Sequence, residues 1–323
     1  MAQERLRAVL TDTHPSVRER VGFLLETPGK RLRPALVLLS ARAACGGSKR
    51  PFVPTHPAVT MAAAVEIIHM ASLVHDDLVD DAAVRHHRPS VHVRWNQQTA
   101  VRLGDYLCAK AFQLVADCAD PRLFAILGPQ LCDMCDGELR QVVSRGDLDL
   151  TESCCLAVAE KKTAALFGAC CATGALTVDS EPALCRALQE FGRCFGIAFQ
   201  VLDDCRDLLV DRERLGKVPG QDLWAGDVTL PLLYALRYGD SRGQRRRAWS
   251  RGRGAWALAG ICEAFHSSPA PARMAAMIGS YAERAQQALA PLADSDCRRS
   301  LSQLADALAL SASCLLAIRP IPA

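Results

Sequence analysis

Apolar residues recur along most of the chain at helical spacing. Leu6, Val9 and Leu10, then Val17, Val21, Leu24 and Leu25, mark one or two amphipathic helices over residues 1–27. A turn at Pro28-Gly29 leads into KRLRPALVLLSARAAC, a basic start passing into a buried helix. Segment 46–58 is a Gly- and Pro-rich loop. The next apolar run, AAAVEIIHMASLVHDDLVDD at 62–81, is core-like but ends in Asp76, Asp77, Asp80 and Asp81. Helical runs continue through GDYLCAKAFQLVADC, CDMCDGELRQVV, EKKTAALF and FGIAFQVLDDCRD, and the last occupy residues 255–317. Between them, the charge run 239–254 reads as a solvated loop, and the tail RPIPA is expected to fray.

Half the residues are hydrophobic and only 5% aromatic, and β-branched runs are scarce, which favours helix over sheet. No long linker interrupts the pattern, so residues 1–323 are expected to form a single all-α domain, a helical bundle. A net charge of +3 implies no nucleic-acid footprint. The fifteen cysteines, an odd count without a secretory leader, predict reduced thiols and a cytoplasmic protein. Cys132 and Cys135 form a CxxC without a second pair at zinc-ligand spacing. His86, His87 and His92 likewise lack a convincing metal spacing. No stretch of 18 or more residues is free of charge, so no transmembrane segment is expected.

The candidate chemistry lies at the acidic ends. Asp76 and Asp80 fall on one helical face a turn apart, where like charges repel by about a few tenths of a kcal/mol. One such end is equally an ordinary solvated acidic turn. A second copy of the DDxxD spacing, Asp203, Asp204 and Asp207, again closes an apolar helical run. The repetition points to a shared site in which carboxylates hold a cluster of Mg²⁺ ions with a polyphosphate between them; Mg²⁺ takes few protein carboxylates and shares substrate phosphate oxygens. Lys30, Arg31 and Arg33 put positive charge at a helix N-terminus, a placement that an anion relieves. Only six of the 38 basic residues are lysines, and three of the six, Lys30, Lys162 and Lys217, fall in candidate motifs.

The chain resembles the trans-isoprenyl diphosphate synthases of the polyprenyl synthetase family. The resemblance rests on GKRLRP (29–34), EIIHMASLVHDDLVD (66–80), GDYL (104–107), GELRQ (137–141), KTAALF (162–167), GIAFQVLDDCRD (196–207), GKVPGQDL (216–223) and TLPLLYAL (229–236), in the family's order and spacing. It implies condensation of isopentenyl diphosphate with an allylic diphosphate to a longer trans-polyprenyl diphosphate, by a homodimer around a deep cavity. Asp76, Asp77, Asp80, Asp203, Asp204 and Asp207 would bind Mg²⁺. Lys30, Arg33 and His69 would hold isopentenyl diphosphate, while Arg85, Lys162 and Lys217 would neutralise the leaving diphosphate. Gln200 and Thr163 would steady the allylic cation through oxygen dipoles.

The chain departs from the family pattern at three places. Where a second arginine usually follows Arg85 stands His86, with Arg88 a candidate to restore the charge. A lysine before the TLP segment is replaced by Asp227, and a tyrosine before KTA by Cys155. Ala71 and Ser72, five and four residues before Asp76, are small, and so predict a tunnel admitting products beyond fifteen carbons. Phe112, Cys108, Ile67 and Ile68 are candidates for its floor. Two other readings stay open. One is a class I terpene cyclase, opposed by Lys30, Arg33 and His69. The other is a non-catalytic subunit of a hetero-oligomeric synthase, opposed by two intact acidic motifs.

Overall fold

A computed structural model describes residues 1–26, 29–46, 52–53, 55–210, 219–238 and 255–317. Within them the fold is all-α apart from one two-residue hairpin. The amphipathic start forms two helices, α1 (Ala2–Thr11) and α2 (Pro15–Leu25), divided where Pro15 opens the second. Then come α3 (Leu32–Ala44), α4 (Pro57–Val79), β1 (Val84–Arg85), β2 (Arg88–Pro89), α5 (Val91–Arg94), α6 (Gln97–Asp117) and α7 (Pro121–Val143). The second half holds α8 (Glu152–Ala159), α9 (Ala165–Leu176), α10 (Pro182–Leu209), α11 (Gln221–Ala225), α12 (Leu230–Tyr238), α13 (Ala255–His266), α14 (Ala270–Ala288) and α15 (Asp296–Ala317). The predicted loop 239–254 and the tail RPIPA lie outside the described residues, as do residues 47–51 and 54 of segment 46–58.

Two compact units emerge from the packing. One comprises Met1–Gln130, Leu166–Gly192 and Ala288–Leu301, the other Leu131–Ala165, Arg193–Gln287 and Ser302–Ala323.

The first unit is built around α4, which packs on α1, α3, α5 and α6. Its residues Ala58 to Ile68 are buried on every side, as expected of a helix apolar all round. Of the described helices, α4 is long and apolar enough to cross a membrane, yet 78% of that stretch is buried within the protein. His56 caps its start, Nδ1 accepting from the Ala58 amide at 3.1 Å, and Pro57 sits in the first turn. One charge interrupts the apolar run: Glu66, 4% exposed, accepts from Arg31 at 2.6 Å. Burying that carboxylate without a partner would cost several kcal/mol. At its other end α4 stops at Asp80, and Asp81 adopts a left-handed φ of 48° that breaks the helix.

The second unit places α12 against α8 and α13. Phe195, Phe265 and Leu230 are among its fully enclosed side chains. Tyr234 on α12 donates to Glu152 at the start of α8, and Arg237 donates to the Leu150 carbonyl.

Candidate active site

In the first unit, the acidic end of α4 is held by its neighbours. The Asp80 amide donates to the Asp76 carbonyl at 2.9 Å, so the two side chains follow one another a turn apart, both partly exposed. Asp77 is different. It is 5% exposed and accepts from Arg85 Nε at 2.6 Å. Burial raises its pKa, and the adjacent guanidinium pulls the other way. Asp77, expected to bind metal, holds Arg85 here. His75 pins the same turn to α6, its Nε2 lying 3.3 Å from the Val101 carbonyl. A Cβ on Gly104 would sit 2.0 Å from that nitrogen, so a larger residue in the GDYL motif would displace the His75 ring.

Beside this end lies a nest of cations. His69, expected in the diphosphate site, has its pKa pushed well below the ordinary range, first by burial and then by the positive charges of Arg33, Arg85, Arg31 and His86. Its imidazole is therefore neutral at pH 7. His86 is likewise lowered, by burial and then by Arg85, His87 and Lys30. Five of the expected anion-binding residues, Lys30, Arg33, His69, Arg85 and His86, thus share one electrostatic neighbourhood. His86 and His87 form the tip of the β1–β2 hairpin with φ of 50° and 60°, a left-handed pair suited to a tight turn. Arg88 does not restore the missing charge. It donates to the Phe23 carbonyl at 3.2 Å, pairs with Glu26 at 3.1 Å and lies over the Phe23 ring.

In the second unit, Lys162 and Thr163 of the EKKTAALF run occupy a π-helical turn, Glu160–Ala164, inside a continuous helical stretch running from α8 into α9. The extra residue closes an Ala165 N–H to Glu160 carbonyl bond and re-aims this turn's side chains, a device frequent at functional sites. Gly137 on α7 allows the close approach, since a Cβ there would lie 2.5 Å from the Lys162 nitrogen. Thr163 donates to Gln200 Oε1 at 2.6 Å, and Gln200 Nε2 donates to Asp204 at 2.6 Å. Lys162 and Gln200 share the lining of a cavity of about 520 Å³ with Asp204, Asp222, Asp227 and Cys155.

Asp203 is partly exposed, whereas Asp204 and Asp207 are buried. Asp207, expected to bind metal, accepts from the Asp222 amide at 3.1 Å through its carboxylate and from the Gly220 amide at 2.8 Å through its carbonyl, so it anchors the start of α11. Lys217 lies outside the described residues. Cys155, in place of the family tyrosine, donates its thiol to the Val228 carbonyl at 3.3 Å, and burial pushes its pKa up to about 12. Among the described residues no three His, Cys, Asp or Glu side chains converge as a preformed metal cage.

Of the proposed chain-length residues, Ala71 is 0% exposed and sealed in helix packing. Ser72 is partly exposed and donates to the His69 carbonyl at 3.0 Å. Phe112 is 43% exposed, its ring 6.5 Å from Phe124. Glu66 and Arg145 are polar partners that the sequence reading missed. A lone glutamate in a buried apolar helix was the available signal for Glu66; nothing local marked Arg145.

The chain is 34% identical over 312 residues to the short chain isoprenyl diphosphate synthase of Methanothermobacter thermautotrophicus, covering 95% of this chain and 94% of that protein. It is 38% identical to heptaprenyl diphosphate synthase component 2 of Geobacillus stearothermophilus, covering 72% and 71%. A crystal structure of polyprenyl synthase from Caulobacter crescentus CB15, complexed with calcium and isoprenyl diphosphate, superposes with a TM-score of 0.88 at 31% identity, covering 96% and 93%. Residues 14–253 match the polyprenyl synthetase model, and the chain belongs to that family of prenyltransferases.

Proposed function

We propose that the chain joins isopentenyl diphosphate to an allylic diphosphate in a Mg²⁺-dependent reaction, giving a longer trans-polyprenyl diphosphate. One observation carries this reading. The acidic end of α4 lies beside a cationic nest around His69 in the same unit, where Lys30, Arg31 and Arg33 add charge beyond the Arg85 that Asp77 holds. A cyclase acting on one diphosphate has no use for the nest; a synthase needs a place for the second substrate.

The donor set suits Mg²⁺. Asp76 and Asp80, and likewise Asp203, offer hard oxygen atoms in ones and twos, and Mg²⁺ takes one or two carboxylates with water and substrate phosphate completing its shell. When bound, Mg²⁺ neutralises charge on the departing diphosphate. Arg85, held by Asp77, would add positive charge to that role, and by the family resemblance so would Lys162 and Lys217. The allylic C–O bond breaks with its electron pair going to the diphosphate oxygen. The oxygens of the Thr163–Gln200 pair would oppose the charge of the cation left behind. Isopentenyl diphosphate, held by Lys30, Arg33, His69 and His86, supplies the π electrons of its double bond to the cation. The released diphosphate takes the proton that completes the product. Apolar walls exclude water that would quench the cation.

The active form is proposed to be a cytoplasmic homodimer. The relative named as component 2 favours a second reading, in which the chain works with a different partner. Purified protein incubated with isopentenyl diphosphate and each allylic diphosphate, with Mg²⁺ or a chelator, tests both. Chain-length growth only with Mg²⁺ supports the proposal. Hydrocarbon release from an allylic diphosphate alone indicates a cyclase, and inactivity of the pure chain indicates the two-component reading.

A further inference from the structure

Asp227 stands where the resemblance calls for a lysine, so the charge at this point is reversed. It is 3% exposed, and a carboxylate this deep needs donors. It has two on separate oxygens: Arg145 Nε donates to Oδ1 at 2.8 Å and Gln141 Nε2 donates to Oδ2 at 2.6 Å. The other end of the Gln141 amide, Oε1, accepts from Lys162 Nζ at 3.0 Å, and Lys162 also pairs with Glu138 at 2.7 Å.

The order of donors and acceptors along this chain is forced. An ionised carboxylate only accepts and an ammonium only donates. An amide between them has one satisfactory orientation, NH₂ toward Asp227 and oxygen toward Lys162. Turning it over would set a donor against the ammonium and an acceptor against the carboxylate. Asp227 thereby fixes the orientation of Gln141, and Gln141, together with Glu138, holds the Lys162 ammonium. Gly137 keeps α7 close enough to the π turn for this to work.

We infer that Asp227, through Gln141, is a positioning residue for Lys162, with Arg145 neutralising its charge. The inference rests on the reading of Lys162 as a ligand of the allylic diphosphate. It makes Asp227 a working part of a rewired site rather than a lost contact. It also carries an unusual consequence: restoring the family lysine in Asp227→Lys sets a third cation against Arg145 and the Gln141 amide, and lowers activity.

The test is a set of substitutions in the full chain, with kcat and KM measured separately and folding followed by thermal unfolding. Asp227→Asn replaces one acceptor with a donor, facing either Arg145 or Gln141, and is expected to lower kcat/KM for the allylic diphosphate about 10-fold, the scale of a disturbed charged hydrogen bond. Gln141→Glu places two carboxylates face to face and is expected to do the same. In the double variant Asp227→Asn with Gln141→Glu, the introduced carboxylate accepts from both Lys162 and the introduced amide, whose own oxygen accepts from Arg145. Every donor then regains an acceptor, so activity is expected to return to within about 3-fold of the parent. A merely structural role would not produce that rescue.

Lys162→Ala separates the two claims. If it lowers kcat/KM strongly and makes Asp227→Asn silent in its background, the inference stands. If Lys162→Ala is damaging but Asp227→Asn costs the same with or without Lys162, or the double variant sums the two losses, the positioning role is overturned and the Lys162 reading survives. If Lys162→Ala has no effect on kcat/KM, both fail.

Discussion

Arg85 donates to Asp77 across 2.6 Å, at the centre of the first acidic motif. We propose that the pair divides a motif of nominally equivalent carboxylates into two jobs. Asp76 and Asp80 remain partly exposed at the helix end, while Asp77 is buried against a cation.

Substitutions should separate those jobs. Asp76→Ala, like Asp203→Ala, is expected to lower kcat at least about 10²-fold, the scale of losing charge stabilisation on a leaving group. Asp77→Asn is expected to raise KM for the allylic diphosphate about 10-fold through Arg85, with the Mg²⁺ concentration giving half-maximal rate unchanged. Mg²⁺ titrations of the three variants check this. Equal shifts in Mg²⁺ requirement for Asp77→Asn and Asp76→Ala would place Asp77 among the metal ligands after all.

His69 makes stability depend on pH in a definite direction. Its folded pKa is held well below the ordinary 6.5 by burial and by the surrounding cations. The unfolded chain therefore binds the proton more readily, so the His69 contribution is fully present above pH 6.5 and is lost as pH falls toward the folded value. Thermal unfolding between pH 7.5 and 5 should show a decline in Tm that is shallower in His69→Gln. Parallel curves for the two proteins would mean that His69 keeps its usual affinity for protons.

Product length should respond to Ser72 more cleanly than to Ala71. Ser72 is partly exposed one turn before Asp76, whereas Ala71 is sealed. Ser72→Phe is expected to shift products toward fifteen or twenty carbons from a parent product beyond fifteen. Ala71→Phe is expected to destabilise the fold by about 1–3 kcal/mol through overpacking. Phe112→Ala should lengthen products if its half-exposed ring closes the far end. Sizing the products of these variants beside their Tm values decides the matter; an unchanged distribution in Ser72→Phe would remove this helix from length control.

Much of this was legible in the sequence because it follows from local spacing. The period of apolar residues announced the helices, and Asp76, Asp80 and Asp203 were visible as carboxylates where a core helix should have none. The finer assignments depended on partners far away in sequence. That Asp77 holds Arg85 and Asp207 holds the start of α11 cannot be read from DDxxD, which treats its aspartates alike. Nor could the π turn be foreseen, since EKKTAALF has no proline or glycine to mark an inserted residue. Asp227 looked like a defect because Arg145, 82 positions earlier, is the partner that gives it a role.

The central claim is that the chain has a place for isopentenyl diphosphate that is built from cations and does not need metal. Calorimetric titration of isopentenyl diphosphate into metal-free protein tests it directly. Saturable binding near one per chain is predicted, weakened about 10-fold or more in Lys30→Ala and His69→Ala and tightened in His86→Arg, whose added charge joins the same nest. Binding that appears only with Mg²⁺, or that ignores all three substitutions, would contradict the account.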